Sequence, residues 1–265
     1  MDVLRLDDAS LHYREDGAAN GAPVVFSNSL GTDLRLWDKV VARMPSGFRL
    51  IRYDTRGHGL SSAPEGPYKM GTLVRDAELL MEHLEVRDAV FVGLSMGGMI
   101  AQGLAVKRLD LIRGVVLSNT GAKIGTPEMW QERIDAVRAG GIEAIADGAM
   151  ERWFTRAFRD SHELALWRNM YVRQDPEGFC GAMAAISGTD MMAVTSGLRL
   201  PALGIAGSDD GSTPPDMVRE LMGLIPGSGV EIIRKAGHLP CVEQPDKYTK
   251  HLLGFLSSIG HGTNG

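Results

Sequence analysis

Apolar and polar positions change their period twice along this chain. Up to Ser118, short apolar runs alternate with stretches of helical spacing. Val3–Leu6 and Leu11–Arg14 alternate apolar with polar around Asp7-Asp8 and predict a hairpin. Pro23–Phe26, Phe48–Tyr53, Ala89–Val92 and Gly114–Ser118 are compact apolar runs suited to buried strands. Between them, Leu36–Met44, Thr72–Leu84 and Gly98–Leu109 carry helical spacing, with Thr72 a plausible N-cap for its helix. From about Lys123 to about Ala193 the spacing is helical throughout, and Glu128–Ala139, Ile142–Phe154, Leu164–Val172 and Pro176–Ile186 predict successive helices. Strands then resume at Ala202–Ala206 and Val230–Ile233, followed by helices over Pro215–Leu224 and Pro245–Leu256.

Strands that alternate with helices predict a largely parallel sheet covered on both faces. The pattern therefore divides the chain into an α/β core over residues 1–122, a helical cap over 123–193, a second core part over 194–259 and a flexible Gly-rich tail over 260–265.

Composition narrows the class. The 265 residues are 44% hydrophobic and 23% charged, enough for a sizeable core. A net charge of −5 offers nothing to attract nucleic acid or an anionic membrane surface, and an anionic substrate would need a local cation. Cys180 and Cys241 lie far apart among apolar neighbours and read as reduced core thiols. No secretion signal is visible and no apolar run is long enough to span a bilayer, so the cytoplasm is the expected compartment. No His/Cys/Asp cluster has metal-ligand spacing and no Gly-rich loop has a phosphate-binding pattern, so neither metal nor cofactor is expected. Exposed cap helices leave a homo-oligomer open.

The chemistry centres on Gly93-Leu94-Ser95-Met96-Gly97, which joins a predicted strand to a predicted helix. A Gly-x-Ser-x-Gly in that setting forms a sharp turn with the serine exposed at its tip, where the helix N-terminus favours negative charge. A serine nucleophile needs a base, and the base needs an orienting carboxylate. His238, in Ala236-Gly237-His238-Leu239, follows one late strand; Asp209 and Asp210, in Gly207–Pro214, follow another. All would stand at the carboxyl ends of parallel strands, where open α/β sheets build their sites. Only one of the two aspartates can be the acid. Two backbone N–H groups should hold the oxyanion: Met96, directly after the nucleophile, and Leu30, in the loop after the third strand. His58, in Arg56-Gly57-His58-Gly59, reads as a structural turn residue.

The whole chain from Val3 to about Ser258 resembles the α/β-hydrolase superfamily. Asp54-Thr55-Arg56-Gly57-His58-Gly59-Leu60-Ser61 is similar to its D-x-R-G-x-G-x-S segment, and Gly237-His238 to its usual G-H. Gly207-x-x-Asp210-x-x-x-Pro214 is similar to its acid loop, which selects Asp210 over Asp209. The fold so implied is a mostly parallel eight-stranded sheet flanked by helices, with an all-helical cap inserted after strand 6. Within the superfamily, Ser27–Leu34 with Trp37, Ser118-Asn119-Thr120, Gly125–Trp130, Arg152-Trp153-Phe154-Thr155 and Gly237–Pro245 resemble the 3-oxoadipate enol-lactonases. Asn28-Ser29 stands where many superfamily members carry His-Gly, which agrees with that family and departs from esterases that keep His-Gly.

The resemblance implies a serine hydrolase that opens an anionic lactone through a Ser95 acyl-enzyme, without a cofactor. The substrate carboxylate would then need a cation, with Arg133 the first candidate and Arg35, Arg152 and Arg156 its rivals; Trp130 and Trp153 would wall the pocket. Rival readings are a carboxylesterase or haloperoxidase-like perhydrolase with the same triad, and a binding protein of this fold that has lost catalysis.

Overall fold

A computed structural model describes residues 2–262. Its strands are β1 (Asp2–Arg5), β2 (Ser10–Gly17), β3 (Ala22–Ser27), β4 (Phe48–Tyr53), β5 (Ala89–Leu94), β6 (Ile112–Ser118), β7 (Ala202–Gly207) and β8 (Gly229–Ile233). They form one eight-stranded sheet in the order β1-β2-β4-β3-β5-β6-β7-β8. β1 and β2 pair antiparallel, as does β2 with β4; every pairing from β3 to β8 is parallel. This is the mostly parallel α/β-hydrolase sheet that the sequence predicts.

Burial explains the patterns. Every residue of β5 is buried, because helices cover both faces of a central parallel strand. The outer strand β8 alternates exposed with partly buried positions instead. The helix Met96–Lys107 is apolar nearly all round because it lies under both sheet and neighbouring helices. Its buried polar side chain, Gln102, is satisfied by the Gly98 and Gly121 carbonyls and by the Thr195 hydroxyl.

The parallel register sets the site. Ser27 pairs with Gly93, Leu94 with Ser118, Ser118 with Ile205 and Gly207 with Ile233. The carboxyl ends of β3, β5, β6, β7 and β8 therefore finish level, and their loops open on one edge. Between β6 and β7 the chain is helical: Pro127–Gly140, Glu143–Trp153, Arg156–Arg159, Leu164–Val172, Pro176–Ser187 and Met192–Thr195.

Local differences have local causes. The helix expected from Thr72 starts at Met70, with Lys69 as a cap that makes no side-chain bond; Met70 and Leu73 are both buried, so packing rather than capping sets its start. Leu36–Met44 divides into a 3-10 turn at Leu34–Trp37, capped by Asp33, and a short helix at Asp38–Val41. The one-turn helix Arg156–Arg159, capped by the Thr155 hydroxyl, is too short to show as periodicity. The tail expected to be flexible from Gly260 packs against the core at His261. The His261 ring is buried, its Nε2 lies 2.9 Å from the Pro23 carbonyl, and it packs near Phe48. Residues 263–265 lie outside the described residues.

One buried ion pair anchors the loop after β4. The Arg56 guanidinium spans both Asp76 oxygens at 2.6 and 2.7 Å and also reaches Asp8. Asp76 is almost wholly buried, whereas the Asp8 side chain is 62% exposed. Removing one partner of a buried pair costs about 3–5 kcal/mol, and an exposed pair is worth under about 1 kcal/mol. Asp76→Asn should therefore destabilise the fold by about 3 kcal/mol and Asp8→Asn by under about 1 kcal/mol, read from denaturant midpoints. Similar losses in both variants would contradict this division.

Candidate active site

Ser95 sits at the turn between β5 and the helix Met96–Lys107, with φ 57° and ψ −113°. Positive φ is costly for any residue with a Cβ and persists only where surroundings impose it. The imposition is visible. A Cβ on Gly93 would lie 2.1 Å from the Gly97 carbonyl oxygen, and one on Gly97 would lie 2.3 Å from that of Ser27. Neither flank has room for a side chain, so the turn closes and projects Ser95. The Thr120 hydroxyl donates to the Ser95 carbonyl at 2.7 Å, and Gly97 N–H donates to the Asn28 carbonyl at 3.1 Å. The elbow is thus fastened to the ends of both β6 and β3.

The structure places Asp210, not Asp209, against His238. Asp209 lies outward and accepts from Ser208. Asp210 is buried, and its Oδ2 lies 2.9 Å from His238 Nδ1. The same oxygen accepts from Asn119 Nδ2 at 2.9 Å and the Thr213 hydroxyl at 2.7 Å, while Oδ1 accepts the N–H groups of Ser212 and Thr213. Burial pushes this carboxyl up, but the His238 charge and hydrogen bond, then Asn119 and Thr213, outweigh it and hold Asp210 below its ordinary value. An ionised carboxylate only accepts, so His238 carries its proton on Nδ1 and presents a free Nε2. Ser95 and His238 line the same cavity, with the Ser29 hydroxyl 3.5 Å from Nε2.

The two oxyanion positions differ in setting. Met96 is the first residue of its helix, so its N–H has no intrahelical acceptor. Leu30 lines the cavity beside Ser95. Its loop is held by three bonds: Asn28 Nδ2 donates to the Tyr53 carbonyl, Trp37 Nε1 donates to Asn28 Oδ1, and Gly31 N–H donates to His58 Nε2 at 3.0 Å. Asn28 in place of the more common His thus works as a bracket for the loop.

The cavity has a volume of about 220 Å³ and is roofed by the cap. Trp130, Arg133, Arg152 and Trp153 all line it. The Arg133 guanidinium lies 4.9 Å over the Trp130 ring, whose Nε1 donates to the Ile124 carbonyl. Burial, then the like charge of Arg152, hold Arg133 below its ordinary pKa. Neither guanidinium is paired with a carboxylate among the described residues. Of the rivals, Arg152 stays in the cavity, whereas Arg35 forms an ion pair with Asp33 on a different cleft and Arg156 is exposed outside the cavity. Trp153 stands 6.0 Å from the His238 ring and meets Tyr171 edge-on at 5.1 Å. Among the described residues no acidic, His and Cys groups cluster to hold a metal ion, and no helix is long and apolar enough to cross a membrane.

Four contributors were not legible as such in the sequence: Asn119, Thr213, Thr120 and His58. Asn119, Thr120 and His58 act through partners distant along the chain, whereas Thr213 bonds back to Asp210 three residues earlier; Asn119 and Thr120 carried a signal in Ser118-Asn119-Thr120 at the end of β6, and His58 one in Asp54–Ser61. His58 is more than a turn residue, because its acceptor nitrogen holds the oxyanion loop.

A buried serine–histidine–aspartate constellation at the carboxyl edge of this sheet defines a hydrolase of the α/β class, and residues 22–245 match the family described as the α/β-hydrolase fold. The chain is 37% identical to 3-oxoadipate enol-lactonase 2 of Acinetobacter baylyi over 93% of both chains. An enol-lactonase structure from Burkholderia xenovorans superposes with a TM-score of 0.93 at 40% identity, covering 97% of this chain and all of that one. A thermophilic esterase from Thermogutta terrifontis superposes at 0.89 with 29% identity, over 95% of this chain and 94% of that one. The chain belongs to the 3-oxoadipate enol-lactonase family of α/β hydrolases.

The neutral His58 ring makes a pH-dependent contribution to stability. Burial pushes this imidazole down to about 4, against about 6.5 when unfolded. The folded state therefore resists a proton that the unfolded state accepts. Stability present above about pH 6.5 should be lost as pH falls towards about 4, by at most about 3 kcal/mol. His58→Gln keeps an acceptor for Gly31 and takes up no proton, so its denaturant midpoint should fall less than that of wild type between about pH 7 and pH 4.5. Parallel curves would refute this role.

Proposed function

We propose that this enzyme opens 3-oxoadipate enol-lactone with water to give 3-oxoadipate. The observation that carries the reading is a pair of arginines, Arg133 and Arg152, that have no carboxylate partner among the described residues and line the same small cavity as Ser95 and His238. In a protein of net charge −5, two half-buried cations that share a cavity and have no carboxylate partner fit an anionic ligand. The enol-lactone carries one free carboxylate at a short distance from its reactive carbonyl. Family membership supports the same substrate.

The chemistry runs through side chains and backbone alone. Ser95 Oγ attacks the lactone carbonyl while His238 Nε2 takes its proton. Met96 and Leu30 N–H groups stabilise the oxyanion, each such donor contributing on the order of 3 kcal/mol. The ring C–O bond breaks, the enolate takes the proton from His238 and ketonises, and the acyl group remains on Ser95. Water, deprotonated by His238, then attacks the ester and releases the product. Asp210 holds the His238 tautomer and stabilises the imidazolium throughout. No step asks for a metal or a cofactor. The unpaired, buried thiols of Cys180 and Cys241 suit a cytoplasmic setting.

Arg133 tests the substrate assignment. A charge-assisted hydrogen bond to a carboxylate is worth about 1.5–3 kcal/mol, so Arg133→Ala should raise KM for the lactone by about tenfold or more. KM for a neutral short-chain ester should change by less than about twofold. Steady-state kinetics on both substrates checks it; equal effects would remove Arg133 as the carboxylate site.

A further inference from the structure

The cap meets the catalytic loops along one short run of backbone. At the end of the helix Glu143–Trp153, the Arg152 carbonyl accepts Gly211 N–H from the loop of Asp210 at 3.0 Å. The next carbonyl, that of Trp153, accepts His238 N–H at 2.8 Å. Two residues on, Thr155 donates its hydroxyl to Glu243 Oε2 at 2.5 Å and its N–H at 3.2 Å. The other oxygen of Glu243 accepts Gly237 N–H at 2.7 Å. A Cβ on Gly237 would lie 2.2 Å from the Trp153 carbonyl oxygen, so this approach depends on glycine.

We propose that Glu243 is a positioning residue for His238, clamping the loop that carries the histidine to the cap segment Trp153–Thr155. The inference rests on the hydrolase reading of Ser95 and His238. Two consecutive peptide N–H groups, those of Gly237 and His238, are both held, one by Glu243 and one by Trp153. With both fixed, the His238 backbone cannot slide along the loop, and Asp210 then sets the ring through Nδ1. The Glu243 carboxylate receives three donors on two oxygens, which fixes its own rotamer. Burial pushes its carboxyl up, while the bonds from Thr155 and Gly237 oppose that rise. Were this acceptor lost, Gly237 N–H would be left without its partner and the loop free to shift. A misplacement of about 1 Å at a catalytic group costs on the order of a hundredfold in rate.

The test uses Glu243→Gln, Thr155→Val and the double variant in the intact enzyme. The amide puts a donor against one of three donors without changing shape, and Thr155→Val removes the hydroxyl bond to Glu243 together with the cap on Phe158 N–H. Steady-state kinetics would be read on the enol-lactone and on 4-nitrophenyl acetate, with the rate of fluorophosphonate inactivation of Ser95. Glu243→Gln should lower kcat by about ten- to a hundredfold on both substrates and slow inactivation in parallel, with KM within about twofold. The double variant should be no worse than Glu243→Gln, because both changes break one clamp. A kcat within about twofold of wild type, a change in KM alone, or multiplied effects in the double variant would overturn the proposal. If Glu243→Gln does not fold, Thr155→Val alone decides, by a loss of kcat at constant KM or its absence. An enzyme that turns over the ester but not the lactone would discard the substrate reading and leave the Glu243 test intact.

Discussion

Ser95 stands in left-handed backbone geometry because two glycines on either side leave the chain no other way to turn. That strain is the constraint on which the site depends. It requires β5 to end level with β3 and β6, since the Asn28 carbonyl and the Thr120 hydroxyl hold the elbow closed and the Ser27 carbonyl occupies the space a side chain at Gly97 would need. The same level edge brings Asp210 and His238 together from β7 and β8. Strand register, the glycines and the nucleophile are therefore one problem with one solution, and an added side chain at Gly93 or Gly97 would disturb all of it.

Around this edge the molecule separates its charges. Asp210 is buried but saturated with donors, so it stays ionised and can orient a histidine. Arg56 is buried but answered by Asp76. Arg133 and Arg152 line the cavity with no carboxylate partner among the described residues, unlike Arg56, whose charge Asp76 answers within the fold. The cap supplies both arginines, and its backbone carbonyls hold the loops of Asp210 and His238. The segment Arg152–Thr155 thus both lines the cavity and holds the loops of Asp210 and His238, so the cap is part of the site's wall.

Much of this was legible in the residues. The change from period two to helical spacing and back located the cap, and Gly-x-Ser-x-Gly and Gly-His located Ser95 and His238, because these motifs record a local backbone demand. Asp210 needed the resemblance to a known acid loop, since Asp209 is chemically equal and adjacent; the turn that buries one and exposes the other is set by contacts to Ala236 and Arg152, remote along the chain. Asn119, His58 and Glu243 lie in recognisable motifs, but their roles are tertiary hydrogen bonds that the motifs do not show, and Thr213 bonds locally to Asp210 within the acid loop. Helix starts such as Met70 were displaced because burial outweighed capping, and His261 packs where the Pro23 carbonyl and the Phe48 ring receive it. Arg152 looked like one of several rivals until the fold set it beside Arg133.

The most direct test of the central claim is the ultraviolet loss of freshly generated 3-oxoadipate enol-lactone, followed with wild type beside Ser95→Ala. The account predicts fast turnover by wild type that the substitution abolishes while the protein remains folded. Turnover that survives in Ser95→Ala would contradict the nucleophile, and a wild type that labels with a fluorophosphonate yet leaves the lactone untouched would contradict the substrate.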